Sequence, residues 1–294
     1  MSGKPALAFL GTGIMGAAMV ARLIERGYPV AVWNRSPEKL ADLLAAGATR
    51  AESPAAAASG ADLVLMCLTN ADAAEAVVFG PDGVAAGGRQ GQMLVDFSSL
   101  APDRARAMAA RLKEQAGMDW LDAPVSGGAM GAREGSLAVM VGGAASAFET
   151  ARPVIAELAG SVTHMGPSGA GQTTKLCNQI IVSTQMAAIA EAVKLAEAGG
   201  VDALKLTEAL KGGWADSKPL QVFVPRMARR DFEPPIGTTW MMLKDLDTVT
   251  AEGRAASVPL PVTTTVAELM RVLAARGEGD SEPLRLVTLG DGPR

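Results

Sequence analysis

Up to about residue 165 the chain alternates short apolar runs with segments of helical periodicity. The runs predict strands over Ala6–Leu10, Val30–Trp33, Leu63–Leu68, Met93–Asp96, Trp120–Asp122, Leu137–Val141 and Ser161–Met165. Several are unbroken Val/Leu stretches without polar alternation, the pattern of strands covered on both faces. Helical spacing predicts helices between them over Met15–Arg26, Glu38–Ala46, Asp103–Gln115 and Ala145–Leu158. Repetition of strand and helix in this way builds a doubly wound, mostly parallel sheet.

The pattern changes after Met165-Gly166-Pro167. Past its first residue, the segment Gly171–Ala198 has neither Pro nor Gly and almost no β-patterning. As a single helix it would be about 40 Å long at the usual rise. Its middle, Leu176 to Leu195, is apolar nearly all round, which predicts burial between domains or between subunits. Further helices are expected over Asp202–Leu210, Gln221–Arg229, Met241–Glu252 and Thr263–Arg276, separated by Gly and Pro turns. After Gly277 periodicity fades, and that tail is expected to be loose. There is no internal repeat, and the Ala-rich stretch at 55–58 is the only low-complexity feature. The fold class is therefore α/β: an N-terminal Rossmann domain over 1–165, and a C-terminal all-α domain over 166–294, joined by a long helix. Two domains also suit 294 residues, a length that strains one compact core.

Composition narrows the function classes. Charged residues make up 20%, hydrophobic ones 49%, and the net charge is −4, so no basic stripe exists for a nucleic-acid partner. The two cysteines, Cys67 and Cys177, cannot build a disulfide framework or a Cys-rich metal site. Each sits in an apolar run and is expected to be buried and reduced. A single histidine, His164 before a Gly-Pro turn, rules out a His-based metal cluster and reads as structural. No carboxylates show metal-ligand spacing, so no metal is expected. The start lacks a basic, apolar and small-residue secretory pattern, and no run reaches about 20 continuous apolar residues. Those features predict a cytoplasmic chain with no membrane partner.

Gly11-Thr12-Gly13-Ile14-Met15-Gly16 follows the first strand and opens the first helix. In such a loop the first glycine allows the tight turn, the second lets the backbone approach a pyrophosphate, and the third permits close helix–strand packing. The helix N-terminus adds unpaired N–H groups and partial positive charge. The flanking strand, helix and second strand make the motif specific for a dinucleotide. Gly11, Thr12, Gly13, Ile14, Met15 and Gly16 are thus cofactor-binding candidates. An NAD enzyme usually carries Asp or Glu about 20 residues further on, to hold the ribose 2′-hydroxyl. Here stand Asn34, Arg35 and Ser36. No carboxylate repels a 2′-phosphate, whereas Arg35 can pair with it and Ser36 can donate to it. NADP(H) is the expected cofactor, with NAD(H) less preferred.

Four motifs resemble the β-hydroxyacid dehydrogenase family, which includes 3-hydroxyisobutyrate dehydrogenases, tartronate semialdehyde reductases and glyoxylate/succinic semialdehyde reductases. They are Phe9 to Gly16, Asp122-Ala123-Pro124-Val125-Ser126-Gly127-Gly128, Gly169 to Asn178, and Lys244-Asp245-Leu246. The likeness runs from about residue 6 to residue 275. Lys175 and Asn178 lie three residues apart and share a helix face, so both can reach one small ligand. With no histidine at hand, a lysine is the plausible proton donor to a ketone accepting hydride, and the base in the reverse direction. The resemblance assigns that role to Lys175 and substrate orientation to Asn178. Ser126, Gly127 and Gly128 follow a strand, where a bend of outward N–H groups can hold an anion; by resemblance they hold the substrate carboxylate. Leu68, Thr69 and Ser99 match positions lining the cofactor, Thr69 standing where many relatives have Pro. Lys244 resembles a residue that approaches the nicotinamide end, and Asp245 caps or pairs.

The segment Gly212 to Ser217 falls where the family varies and faces substrate, so Trp214 and Asp216 would make that pocket partly aromatic and acidic. The segment around Ser281–Thr288 also departs from the family pattern. The resemblance implies hydride transfer between NADP(H) and a small β-hydroxy acid or its semialdehyde. Two alternatives stand beside it. Imine reductases share the fold and the Asn-Arg-Ser type of loop but generally lack a lysine at this position. A non-catalytic NADP-sensing protein would have no use for both Lys175 and Asn178. The long apolar helix predicts a homodimer or homotetramer.

Overall fold

The computed structural model describes residues 3–291, so residues 1–2 and 292–294 of the two expected domains lie outside the described residues. The chain divides into two compact units, Met1–Lys175 and Leu176–Arg294. In the first, strands and helices alternate as β1 (Leu7–Leu10), α1 (Ile14–Glu25), β2 (Val30–Trp33), α2 (Ala41–Ala45), β3 (Thr49–Arg50), α3 (Pro54–Ser59), β4 (Leu63–Met66), α4 (Ala71–Phe79) and α5 (Val84–Gly87). They continue as β5 (Met93–Asp96), α6 (Pro102–Ala116), β6 (Asp119–Asp122), β7 (Val125–Ser126), α7 (Gly128–Glu134), β8 (Leu137–Gly142), α8 (Ala145–Ala156) and β9 (Ala159–Gly166).

Strands β3, β2, β1, β4, β5 and β6 run parallel in that spatial order. β8 then turns antiparallel to β6 and carries β7 antiparallel and β9 parallel beside it. The apolar runs explain the layering. In β1, Leu7 and Phe9 join one core while Ala8 and Leu10 join another, and all four are buried. A strand with both faces covered needs no polar alternation. On one side α1 and α8 supply Met19, Leu23, Phe148 and Ile155 to the core; on the other, α4 and α6 supply Val77, Val78, Met108 and Leu112.

Helix α9 (Ala170–Ala198) begins in the first unit and continues into the second. There it is followed by α10 (Leu206–Ala209), α11 (Lys218–Arg229), α12 (Thr239–Ala255) and α13 (Pro261–Leu273). Met186, Ile189, Ala190 and Val193 of α9 pack with Val224, Met227, Leu246, Val266 and Met270 in this unit's core. Among the described residues α9 is the one helix long and apolar enough, by length and composition, to cross a membrane. Within this chain a stripe of α9 containing Ser183, Met186 and Val193 is buried, whereas Ile181 and Leu195 are exposed.

Two expectations fail here. Cys177 is exposed on α9 instead of buried. Up to residue 291 the tail is not loose: after a helical break at Gly277 (φ +88°), a 3₁₀ segment over Pro283–Gly290 buries Leu284, Leu286 and Val287 in the second core. Glu282, itself buried, accepts hydrogen bonds from the Ile236 backbone N–H and from Arg226, so polar pairing reinforces the apolar contact. Burial pushes this carboxyl up, and those donors pull it back.

Candidate active site

The direction of chain progression reverses at β1, which has β2 on one side and β4 on the other. In open α/β sheets ligands bind beyond the strand ends at such a switch point, and the glycine loop leaves β1 there. Gly11 has φ +91°, and a Cβ on it would lie 2.4 Å from the Cys67 carbonyl oxygen and 2.6 Å from Leu68 Cδ2. A Cβ on Gly16 would fall 2.0 Å from the Gly11 carbonyl oxygen. Both glycines are therefore dictated by close approach within the protein. Gly13 differs, since among the described residues nothing stands within 4 Å of a Cβ there. The first turn of α1 has no side-chain cap, Ile14 is exposed, and Met15 is half-buried. The Thr12 hydroxyl is buried with no hydrogen-bond partner among the described residues. Open space, uncapped N–H groups and an orphaned hydroxyl together fit a dinucleotide pyrophosphate.

Beyond β2, Asn34 donates from Nδ2 to the Ser36 carbonyl at 3.2 Å, closing a small turn. Arg35 projects from that turn, exposed and without an ion pair among the described residues. At the ends of β4 and β5, the Leu68 N–H donates to Ser98 Oγ at 2.8 Å, tying together the segments that carry Thr69 and Ser99. Thr69 is exposed and Ser99 half-buried. Ser126 ends β7, followed by Gly127 (φ +131°) and Gly128 (φ +66°), the latter open where a Cβ would stand. Lys175 is the one lysine among the described residues that is buried.

In the second unit, Asn178 donates to Gln179 Oε1 at 3.0 Å. Gln179 donates to Asp245 Oδ2 at 2.6 Å, and Asp245 Oδ1 pairs with Lys244 Nζ at 3.2 Å. Asn178 on α9 and Lys244 on α12 are thus joined through two residues, of which sequence reasoning missed Gln179. Asp216 accepts from the Gly212 N–H at 2.8 Å and from Gln221 Nε2 at 2.7 Å. Its carboxylate is engaged in shaping its own loop, and these bonds hold its carboxyl below the usual range. Trp214 is fully exposed. His164 Nε2 lies 2.9 Å from the Gly143 carbonyl oxygen, and its ring stacks on Phe148, a structural setting.

Three buried polar residues, Asp96, Asp122 and Gln172, make contacts that sequence reasoning did not assign, although Asp122 and Gln172 stand inside two of the quoted motifs. Asp96 and Asp122 occupy paired positions of β5 and β6. Burial pushes the Asp96 carboxyl up to about 7, partly countered by hydrogen bonds from Ser98. Asp122 is also raised by burial but is drawn back by the N–H groups of Gly169 and Gln172. Cys67 is half-buried where burial was expected, and desolvation, with Asp96 nearby, pushes its thiol up to about 12. Among the described residues no group of three or more His, Cys, Asp or Glu is placed to hold a metal ion.

The fold and glycine loop define a dinucleotide-binding protein. The pattern of the NAD-binding domain of 6-phosphogluconate dehydrogenase matches residues 6–166, and that of the NAD-binding region of NADP-dependent 3-hydroxyisobutyrate dehydrogenase matches residues 169–289. The chain is 36% identical over 282 residues to 2-hydroxy-3-oxopropionate reductase of Escherichia coli, covering 96% of this chain and 95% of that one. It is 34% identical over 287 residues to NAD-dependent L-serine dehydrogenase of Pseudomonas aeruginosa, covering 94% of each. The solved structure of Mycobacterium tuberculosis 3-hydroxyisobutyrate dehydrogenase with L-serine superposes at TM-score 0.89 and 31% identity, over 98% of this chain and 100% of that one. A Pseudomonas imine reductase, 22% identical, shares the fold alone. The chain belongs to the β-hydroxyacid dehydrogenase family.

Proposed function

We propose that this enzyme transfers hydride reversibly between NADP(H) and a short β-hydroxy acid or its semialdehyde, with Lys175 as general acid and base. The observation that carries this reading is a buried lysine near the start of α9, with Asn178 one turn further along the same helix. A lysine withdrawn from bulk water on this helix is placed to exchange a proton with a small bound substrate and not with solvent. In reduction Lys175 donates a proton to the carbonyl oxygen; in oxidation it takes the hydroxyl proton. The bound nicotinamide supplies or accepts the hydride. Ser126 and the N–H groups of Gly127 and Gly128 hold the substrate carboxylate, while Asn178 orients the reacting end. The Gly11–Gly16 loop receives the pyrophosphate, with Leu68, Thr69 and Ser99 lining the cofactor and Lys244 facing its nicotinamide end.

Arg35 and Ser36, with Asn34 in place of a carboxylate, support NADP(H) over NAD(H) by charge and donor count. The P. aeruginosa relative is NAD-dependent by name, which makes preference the quantity to measure. The enzyme is expected to act in the cytoplasm as a homodimer or homotetramer, free of nucleic acid and membrane.

The test follows absorbance at 340 nm with NADPH and NADH in parallel. Glyoxylate, succinic semialdehyde, tartronate semialdehyde, methylmalonate semialdehyde and a cyclic imine are offered for reduction, with 3-hydroxyisobutyrate and L-serine for oxidation. NADPH oxidation by one semialdehyde, lost in Lys175→Ala, supports the reading and names the substrate. Turnover of the imine alone would move the protein to C=N reduction. No turnover, with NADPH still bound, would favour a sensor.

A further inference from the structure

The first turn of α9 is held to the sheet by side chains far away in sequence. Asp122, at the end of β6, accepts from the Gly169 N–H through Oδ1 at 2.7 Å and from the Gln172 N–H through Oδ2 at 2.9 Å. A carboxylate from another strand thus caps the helix, satisfying N–H groups that its own first turn leaves unpaired. The Gln172 side chain makes a second attachment. Its Oε1 accepts from the Leu100 N–H at 3.0 Å and its Nε2 donates to the Ser98 carbonyl at 2.8 Å. Backbone groups have fixed roles, so these partners also settle which way the amide points. Ser98 Oγ accepts from the Leu68 N–H, while the Ser98 N–H donates to Asp96 Oδ1 at 2.9 Å.

Packing leaves this turn little freedom. A Cβ on Gly171 would lie 2.4 Å from the Met140 carbonyl oxygen and 2.5 Å from that of Asp122. One on Gly142 would lie 2.6 Å from Asp122 Oδ1. Gln172 and Asp122 are themselves fully buried. Lys175 follows Gln172 by three residues, so the two are neighbours on one helix face.

We propose that Gln172 is a positioning residue for Lys175: its amide, tied to the Ser98–Leu100 segment, and its N–H, taken by Asp122, fix the turn from which Lys175 projects. The proposal rests on Lys175 being the acid and base. An apolar side chain of similar length keeps the Asp122 cap and the glycine contacts but removes the tether to the Ser98–Leu100 segment, and displacement of about 1 Å at a reacting group can cost about 100-fold in rate.

The experiment is a double-mutant cycle on the full chain, using the substrate and coenzyme found in the screen. Wild type, Gln172→Met, Lys175→Ala and the double variant are compared for kcat, KM, NADPH affinity by fluorescence, and melting temperature. Gln172→Met is expected to lower kcat by about 10- to 100-fold while KM and NADPH affinity change less than about threefold. In the Lys175→Ala background the same substitution should lower kcat no further, because its route of action is gone. An equal fold-loss in both backgrounds overturns the proposal. So does a lowered melting temperature with unchanged kcat. If Lys175→Ala alone keeps full activity, the acid/base reading itself fails, a result distinct from those two.

Gln172→Glu gives an independent arm and serves if the Met variant does not fold. A carboxyl there, when protonated, can donate to the Ser98 carbonyl and accept from the Leu100 N–H; when ionised it loses the first bond and sets a buried negative charge against the Ser98 carbonyl oxygen. In the reducing direction, the ratio of its kcat to that of wild type should rise as pH falls from 8 to 5.5. A ratio independent of pH overturns the proposal.

Discussion

Arg35 stands exposed beyond β2, in a turn closed by Asn34 and Ser36, with no ion pair among the described residues. Its guanidinium has no competing carboxylate to leave, so pairing with a 2′-phosphate costs little beyond ordering the side chain. A charge-assisted bond is worth about 1.5–3 kcal/mol when sheltered, and solvent screening reduces it here. Arg35→Ala should raise KM for NADPH roughly tenfold and leave KM for NADH nearly unchanged; equal effects on both would remove the 2′-phosphate assignment. Asp96 gives a prediction of a different kind. Its carboxyl is pushed up to about 7 in the folded protein, against about 3.9 for an unfolded chain. Between those values the unfolded state has released its proton while the folded state retains one. Stability from this group therefore falls as pH rises through that window, and levels above it. In Asp96→Asn this dependence is absent. The melting temperature of the variant minus that of wild type should rise between pH 4.5 and 7.5. A flat difference would show that Asp96 does not titrate there.

Elements differ in how plainly they are written in the chain. Strands β1, β2, β4 and β5 stand out because both their faces are covered, leaving unbroken apolar runs bounded by turns. The two-residue strands β3 and β7 have no room to show a period. Helix α3 hides in the Ala-rich stretch, where apolar periodicity is meaningless, although its start is marked: Ser53 accepts from the Ala56 N–H and Pro54 occupies the first helical position. Helix α4 is capped likewise by Asn70. The site divides along the same line. The glycine loop is legible because close backbone approach permits only glycine. The Gln172 contacts are not, because their partners lie 72 and 74 residues away and nothing local requires them. The final 3₁₀ segment escaped notice for a third reason: its few apolar residues follow neither the helix nor the strand period. Since Leu284 there is fully buried, Leu284→Ala should cost about 2–5 kcal/mol. Denaturant unfolding monitored by circular dichroism checks this, and a loss below about 0.5 kcal/mol, the range of a surface substitution, would mean that the tail is detached in solution.

For the molecule as a whole, the exposed side of α9 carries the clearest expectation. Cys177, Ile181, Ala188 and Leu195 are all exposed and recur at intervals of four and seven residues along one helix. That is the spacing of a seam at which one helix packs lengthwise against another. The same helix buries its opposite stripe in the second core, so this face cannot turn inward without dismantling that packing. Single exposed apolar residues are ordinary, and Thr184 and Glu191 stand among these four on the same side, but apolar recurrence along a helix of 29 residues is the pattern of an interface. A second copy of the chain offers the same row, and a two-fold axis lets each cover the other. Light scattering after gel filtration at micromolar concentration should accordingly give at least twice the mass of one chain. Leu195→Glu would place two like charges across the seam near its axis, or one charge against apolar neighbours away from it, and either should shift the protein toward monomer. If wild type is already a monomer, the row is only solvated surface. If the variant remains a dimer, assembly uses another face, and the recurrence along α9 must have a different cause.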